Sequence, residues 1–180
     1  REHRKAFRLE MEKAGSYIPE HIAYLHKCRQ QKRAKGYYSG SNLPPGLVIN
    51  KSHDKETIKP VIYEPWACEM RAIFARAKVL HWNLSLLIRE LQAKPFIFPD
   101  IPDEDNVRFT FRCHMTKVEN GYKVTPRAIR EWFICLTLAG HWLVDTIHIK
   151  PNNHPAVIAP TLFEEGYIHV MGEDLQGNPI

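Results

Sequence analysis

Phe7, Met11, Ala14, Ile18 and Leu25 follow one another at intervals of three, four or seven residues, with Ile22 beside them. That spacing lays one apolar stripe along a helix. Gly15, Ser16 and Pro19 interrupt it, and a proline inside a helix removes a hydrogen bond and clashes with the preceding turn. The pattern therefore predicts either one helix kinked here or two helices meeting with Pro19 starting the second, and the second is the reading adopted. That second helix carries Lys27, Arg29, Lys32, Arg33 and Lys35, and Gly36 supplies its stop. Residues 36–46 are too rich in glycine, proline and serine for regular structure. Leu47-Val48-Ile49 and Pro60-Val61-Ile62-Tyr63 read as short strands around a polar turn.

Glu64-Pro65 opens a helix over residues 65–79, with Met70, Ile73, Phe74 and Ala77 inward and Glu69, Arg71, Arg76 and Lys78 outward. After a turn at residues 81–83, Asn83 caps a helix over residues 84–92, in which Leu84, Leu87, Ile88 and Leu91 repeat the spacing. Residues 95–106 contain three prolines and four acidic residues and predict a loop. Val107, Phe109, Phe111, Cys113 and Met115 alternate with Arg108, Thr110, Arg112 and His114, the period of a half-buried strand. Asn120-Gly121 signals a type I′ hairpin turn, from which Tyr122-Lys123-Val124 returns. Thr125-Pro126 starts a helix over residues 126–136, with Ile129, Trp132, Phe133 and Leu136 inward and Arg127 and Arg130 outward near its start. Residues 142–150 read as a strand and residues 160–170 as a short acidic helix. The expected fold is α+β: a small antiparallel sheet packed by three to four helices, with a helix-turn-helix-like pair and a basic N-terminal helix. No internal repeat is present.

Composition narrows the class. A chain of 180 residues suits one ordinary domain, and 44% hydrophobic with 25% charged residues excludes wholesale disorder. The longest apolar run, residues 133–139 with Thr137 inside it, is too short to span a bilayer, so no membrane partner is expected. The chain opens without Met or a secretory signal and ends in a soft tail at residues 173–180, which reads as an excised piece of a longer cytoplasmic protein. Charge is more informative. Residues 1–35 carry ten Lys/Arg against four Glu, whereas residues 36–180 carry 15 against 16, so all the excess positive charge of the +5 chain sits in one arm. A phosphate backbone attracts such an arm, and a solvated helix face has the same composition.

Candidate chemistry is sparse. Cys28, Cys68, Cys113 and Cys135 are isolated, and zinc sites need close ligand pairs. His21 and His26 lie five apart, and His141, His148 and His154 further, so none makes the i, i+4 pair of a helical metal site. Reduced thiols, no metal and no cofactor are expected. No GxSxG, HExxH or Walker loop occurs, and the acidic residues at 100–105 crowd a Pro-punctuated loop. No catalytic residue is identified. What remains is a DNA-reading arrangement in which the pair at residues 65–79 and 84–92 braces a third helix whose Arg127 and Arg130 meet base edges and phosphates. Packing of a core alone would produce the same three apolar stripes.

The order of motifs carries a resemblance. A basic helix ends in Lys32-Arg33-Ala34-Lys35-Gly36-Tyr37-Tyr38-Ser39-Gly40, followed by Leu43-Pro44-Pro45-Gly46. Ile62-Tyr63-Glu64-Pro65-Trp66-Ala67 leads into Arg71-Ala72-Ile73-Phe74, and Leu84-Ser85-Leu86-Leu87-Ile88-Arg89-Glu90-Leu91 follows. Then come Thr125-Pro126-Arg127-Ala128-Ile129-Arg130, Leu138-Ala139-Gly140, Asn153-His154-Pro155-Ala156-Val157-Ile158 and Leu162-Phe163-Glu164. Over residues 20 to 170 this resembles the recombinase domain of the large serine recombinases, the integrases and transposon recombinases in which it follows a resolvase-type catalytic domain. Pro44-Pro45-Gly46-Leu47 stands where that family has an aromatic-rich Pro-Tyr-Gly-Tyr, and no Asn-Pro precedes Gly140.

The resemblance implies residues 1–36 as a basic linker helix region and residues 37–172 as a DNA-binding domain. It implies a nucleophilic serine upstream of Arg1, so this stretch is not itself the enzyme. The implied partner is double-stranded DNA, bound in the cytoplasm at the nucleoid, with a homo-oligomeric parent. Lys27, Arg29, Lys32, Arg33 and Lys35 would contact phosphates, and residues 36–46 would follow the backbone or minor groove. Arg127 and Arg130 would approach bases, with Ser39, Asn42 and Thr125 adding hydrogen bonds. Two other classes stay open: a protein-interaction module with a basic arm, and a hydrolase whose site carries no familiar motif.

Overall fold

The computed structural model describes residues 2–38, 43–50, 58–94, 96–108, 115–144, 147–149 and 155–172. The fold is α+β, as the periodicities imply, with five α-helices among the described residues. The first, α1 (Glu2–Ala34), runs unbroken through Pro19, so of the two alternatives the single helix is found and not the pair adopted above. Proline deprives the carbonyl four residues earlier, that of Gly15, of its partner. Gly15 is exposed, so water can satisfy it, and an isolated helix tolerates there what a buried one would not. The stop at Gly36 is as predicted. Its φ is +76°, its N–H donates to the Arg33 carbonyl at 2.8 Å, and Tyr37 N–H donates to that of Lys32 at 2.9 Å, a Schellman closure.

The body is three small antiparallel sheets against four helices, where one sheet was expected. β1 (Leu47–Asn50) lies between β2 (Pro60–Ile62) and β4 (Val107–Arg108). β6 (Gly121–Val124) lies between β3 (Ile97–Pro99) and β5 (Met115–Val118). The two ends of the alternating run from Val107 to Met115 pair in different sheets, and residues 109–114 between them lie outside the described residues. β3 and a 3₁₀ turn, Asp103–Asp105, occupy the stretch expected to be loop. Proline ends β3 at its edge position, where no ladder donor is required. The expected strand at 142–150 is a hairpin of β7 (Trp142–Val144) and β8 (Ile147–Ile149).

The β5–β6 turn also departs from expectation. Val118 pairs with Gly121, so Glu119 and Asn120 are the central pair, and neither has positive φ. This is not a type I′ turn. Gly121, at φ +142°, is required for a different reason: a Cβ there would sit 2.0 Å from the Phe98 carbonyl oxygen of β3.

α2 (Glu64–Val79) and α3 (Leu84–Ala93) follow their predicted boundaries closely, and the Asn83 side chain accepts from Leu86 N–H. α4 (Pro126–Phe133) is shorter than expected, since the chain passes at Leu136–Ala139 into a 3₁₀ turn that Gly140 closes at φ +81°. α5 (Pro160–Met171) packs on α2 and α4. One core joins these pieces. Trp66, Met70 and Phe74 of α2 meet Phe98 of β3, Leu87 of α3, Phe133 of α4 and Phe163 of α5, all fully buried. Phe74 stacks on Phe133 at 4.3 Å between ring centroids, and Trp66 Nε1 donates to the Pro99 carbonyl at 2.9 Å. Trp82 adopts φ +60° in the α2–α3 turn and lies so close to α5 that a Cβ on Gly166 would be 2.6 Å from its ring.

Candidate nucleic-acid interface

The cationic end of α1 is exposed at Lys27, Arg29, Lys32 and Lys35 and half-buried at Arg33. At about 100° per residue, Arg29, Lys32 and Arg33 share an arc of roughly 100°, while Lys27 and Lys35 stand further round the helix. The segment after the helix turns back on the body, where Tyr38 N–H donates to the Ile58 carbonyl at 2.6 Å. This brings Lys59 over the Tyr37 ring, Nζ to centroid 5.3 Å. Lys59 joins the basic end of α1 from a polar stretch whose sequence reads only as a turn, so no periodicity announces it.

The segment at residues 36–46 is described at 36–38 and 43–46. Leu43, Pro44, Pro45 and Gly46 are buried, and Gly46 (φ +91°) lies where a Cβ would be 2.9 Å from Val157 Cγ1 and 3.1 Å from Ala67 Cα. Those contacts tie residues 43–46 to the body. Ser39 and Asn42 lie outside the described residues.

On α4 the cap forms as predicted, with Thr125 Oγ1 accepting from Ala128 N–H at 3.3 Å. Ala128, Ile129, Trp132 and Phe133 face the core, leaving Arg127 and Arg130 on the exposed side. The two arginines differ. Arg127 Nε donates to Glu131 Oε1 at 3.0 Å, one turn on. Arg130 makes no ion pair among the described residues, and it stands in the last turn of this short helix rather than near its start.

Elsewhere the cations divide sharply. Every Arg and Lys of α2 is held by a carboxylate: Arg71 by Glu64 at 2.8 Å, Arg76 by both oxygens of Glu90 at 2.7 and 2.8 Å, and Lys78 by Glu165 at 2.7 Å. The hydrogen bonds from these cations hold Glu64, Glu90 and Glu165 below the usual carboxylate range. Lys117 is paired with Asp100. By contrast Lys27, Arg29, Lys32 and Lys35 of α1, Arg89 of α3, Lys94 after it, Lys123 of β6 and Arg130 of α4 make no ion pair among the described residues.

Tyr63 is pushed up to about 12 by burial and by its 2.7 Å bond to Asp105, which leaves it a protonated donor. Burial likewise raises the Cys135 thiol. The described residues hold no group of three or more His, Cys, Asp or Glu that could bind a metal, and no helix long and apolar enough to cross a membrane. Between the C-terminal end of α3, the β5–β6 hairpin and the start of α4 lies a groove of about 560 Å³, lined in part by Gln92, Thr116 and Lys123. Compared with family models, curated proteins and solved structures, the chain has no match.

Proposed function

We propose that this chain is a double-stranded DNA-binding domain of the large serine recombinase type, which positions an upstream catalytic domain at a crossover site. The observation that carries the reading is the division of charge. Cations on α2 are consumed by internal carboxylates, whereas Lys27, Arg29, Lys32 and Lys35 at the end of α1 and Arg89, Lys94, Lys123 and Arg130 on the α3–β6–α4 side make no ion pair among the described residues. Lys27, Arg29, Lys32, Arg33 and Lys35 contact phosphates, joined by Lys59, and supply affinity without reading sequence. α2 and α3, joined by the turn at residues 80–83 in the manner of a helix-turn-helix, brace α4, whose exposed face enters the major groove. There Arg130 reads a guanine edge, and Arg127 does so by exchanging Glu131 for the base. The order of motifs from residue 20 to residue 170 supports the same assignment. On this reading the stretch performs no catalysis itself and acts in the cytoplasm on nucleoid DNA.

A second reading rests on a separate observation. Tyr17, Ile18, Ile22, Tyr24 and Leu25 of α1 are exposed apolar side chains in one segment, which suits a protein partner, including another copy in a homo-oligomeric parent. Selection of duplexes from a random pool tests the first reading. Recovery of a shared sequence bound more tightly than a scrambled duplex is expected; no enrichment, with no duplex shifted at low salt, would refute it and leave the protein partner.

A further inference from the structure

We infer that the groove between α3, the β5–β6 hairpin and α4 is a seat for the sugar–phosphate backbone of duplex DNA, an inference that rests on the DNA-binding reading above. Its volume of about 560 Å³ lies in the range of ligand clefts, roughly 300–1,000 Å³. Its chemistry is one-sided. Gln92, Thr116 and Lys123 present an amide, a hydroxyl and an ammonium, each able to donate a hydrogen bond, with a positive charge at Lys123 and no carboxylate lining the groove among the described residues. None of the three side chains makes a hydrogen bond or ion pair within the chain among the described residues. Thr116 and Lys123 are direct cross-strand partners, so their side chains stand together on one face of the hairpin. Leu91, Val118 and Val124 supply an apolar wall against which a deoxyribose can lie.

The other face of the hairpin shows what a structural lysine looks like in this fold. Lys117, one residue along from Thr116, is paired with Asp100 and lies 4.6 Å over the Tyr122 ring. Lys123 has neither kind of partner. A phosphate held by Lys123 and Thr116 would lie beside Pro126, the residue before Arg127, so the groove would fix the register in which Arg127 and Arg130 meet the bases. Such contacts position a protein on DNA without specifying sequence.

The test compares the unaltered chain with Lys123→Ala and Lys123→Arg, on a selected and a scrambled duplex over a salt series. Losing one phosphate contact should flatten the dependence of log K on log salt by about 0.9. Lys123→Ala should weaken both duplexes by the same factor, and Lys123→Arg should restore slope and affinity. A methylphosphonate placed at the contacted phosphate should weaken the unaltered chain and leave Lys123→Ala unchanged. An unchanged slope in Lys123→Ala, with duplex binding intact, overturns the groove assignment alone. Saturable binding of inorganic phosphate that Lys123→Ala abolishes, without a change in the duplex slope, overturns it in favour of a free-anion site. Absence of duplex binding by the unaltered chain overturns this inference together with the reading beneath it.

Discussion

In α2, Trp66, Ala67, Met70 and Phe74 are fully buried, and the cations between them are each clasped by a carboxylate. In α1, Tyr17 and Tyr24 are more than 60% exposed, Ile18 and Ile22 about half, and Lys27, Arg29 and Lys32, with Lys35 just after it, make no ion pair among the described residues. Both segments are amphipathic in sequence. α2 spends its apolar face on Phe98, Phe133 and Phe163 and its charges on fixing neighbours, so it serves stability. α1 spends neither. Its helix rests on its own hydrogen bonds and its Gly36 closure, leaving Ile18, Ile22, Lys27, Arg29 and Lys32 exposed to solvent. A tied charge locates an element, whereas an untied one is a surface for a partner.

The comparison is broken most directly by truncating equivalent apolar residues. Phe74→Ala should cost about 3–5 kcal/mol, since it removes a ring stacked on Phe133 and leaves a cavity in the shared core. Ile22→Ala, on the exposed face of α1, should stay within about 0.5 kcal/mol. Chemical denaturation followed by tryptophan fluorescence reads both, because Trp66, Trp82 and Trp132 all sit in that core. An equal loss in the two variants would mean that α1 is part of the cooperative body.

Glycines sharpen the contrast with a smaller effect. Gly121→Ala should destabilise by about 1–3 kcal/mol, because its Cβ meets a backbone oxygen that cannot move without unpairing β3. Gly15→Ala meets nothing within 4 Å and should instead stabilise the α1 helix by about 0.5–1 kcal/mol. Thermal melts and helical circular dichroism of the two variants should therefore move in opposite directions.

The helices were legible in the sequence because their punctuation is local. Gly36, Asn83, Thr125-Pro126 and the 3.6-residue stripes of α2, α3 and α4 each act within a few residues, and each acts as read. Pro19 misled because a rule for buried helices does not govern one whose freed carbonyl faces water. The sheets were poorly legible, since pairing is decided by distant segments. Nothing near Ile97 shows that β6 will lie beside it, and nothing near Gly121 shows that Phe98 will leave no room for a side chain. Of the candidate interface, the basic run of α1 and the outward Arg127 and Arg130 could be read directly. The Glu131 partner of Arg127 could have been found from its i, i+4 spacing. Lys59, Lys123 and the burial of Leu43, Pro44, Pro45 and Gly46 depend on tertiary contacts and left no periodic trace.

The central claim is that the end of α1 supplies affinity and α4 supplies discrimination. One experiment tests it: binding of a selected and a scrambled duplex over a salt series, by the unaltered chain, by a variant with Lys32, Arg33 and Lys35 all changed to Ala, and by Arg127→Ala and Arg130→Ala. The triple variant should bind both duplexes more weakly by a common factor, with the salt slope flattened by up to about 2.7. Each arginine variant should keep most of its slope and lose about 1–3 kcal/mol of preference for the selected duplex, with the larger loss at Arg130, which gives up no internal partner. A selected-to-scrambled ratio unchanged in both arginine variants, or a slope unchanged in the triple variant, would contradict the account.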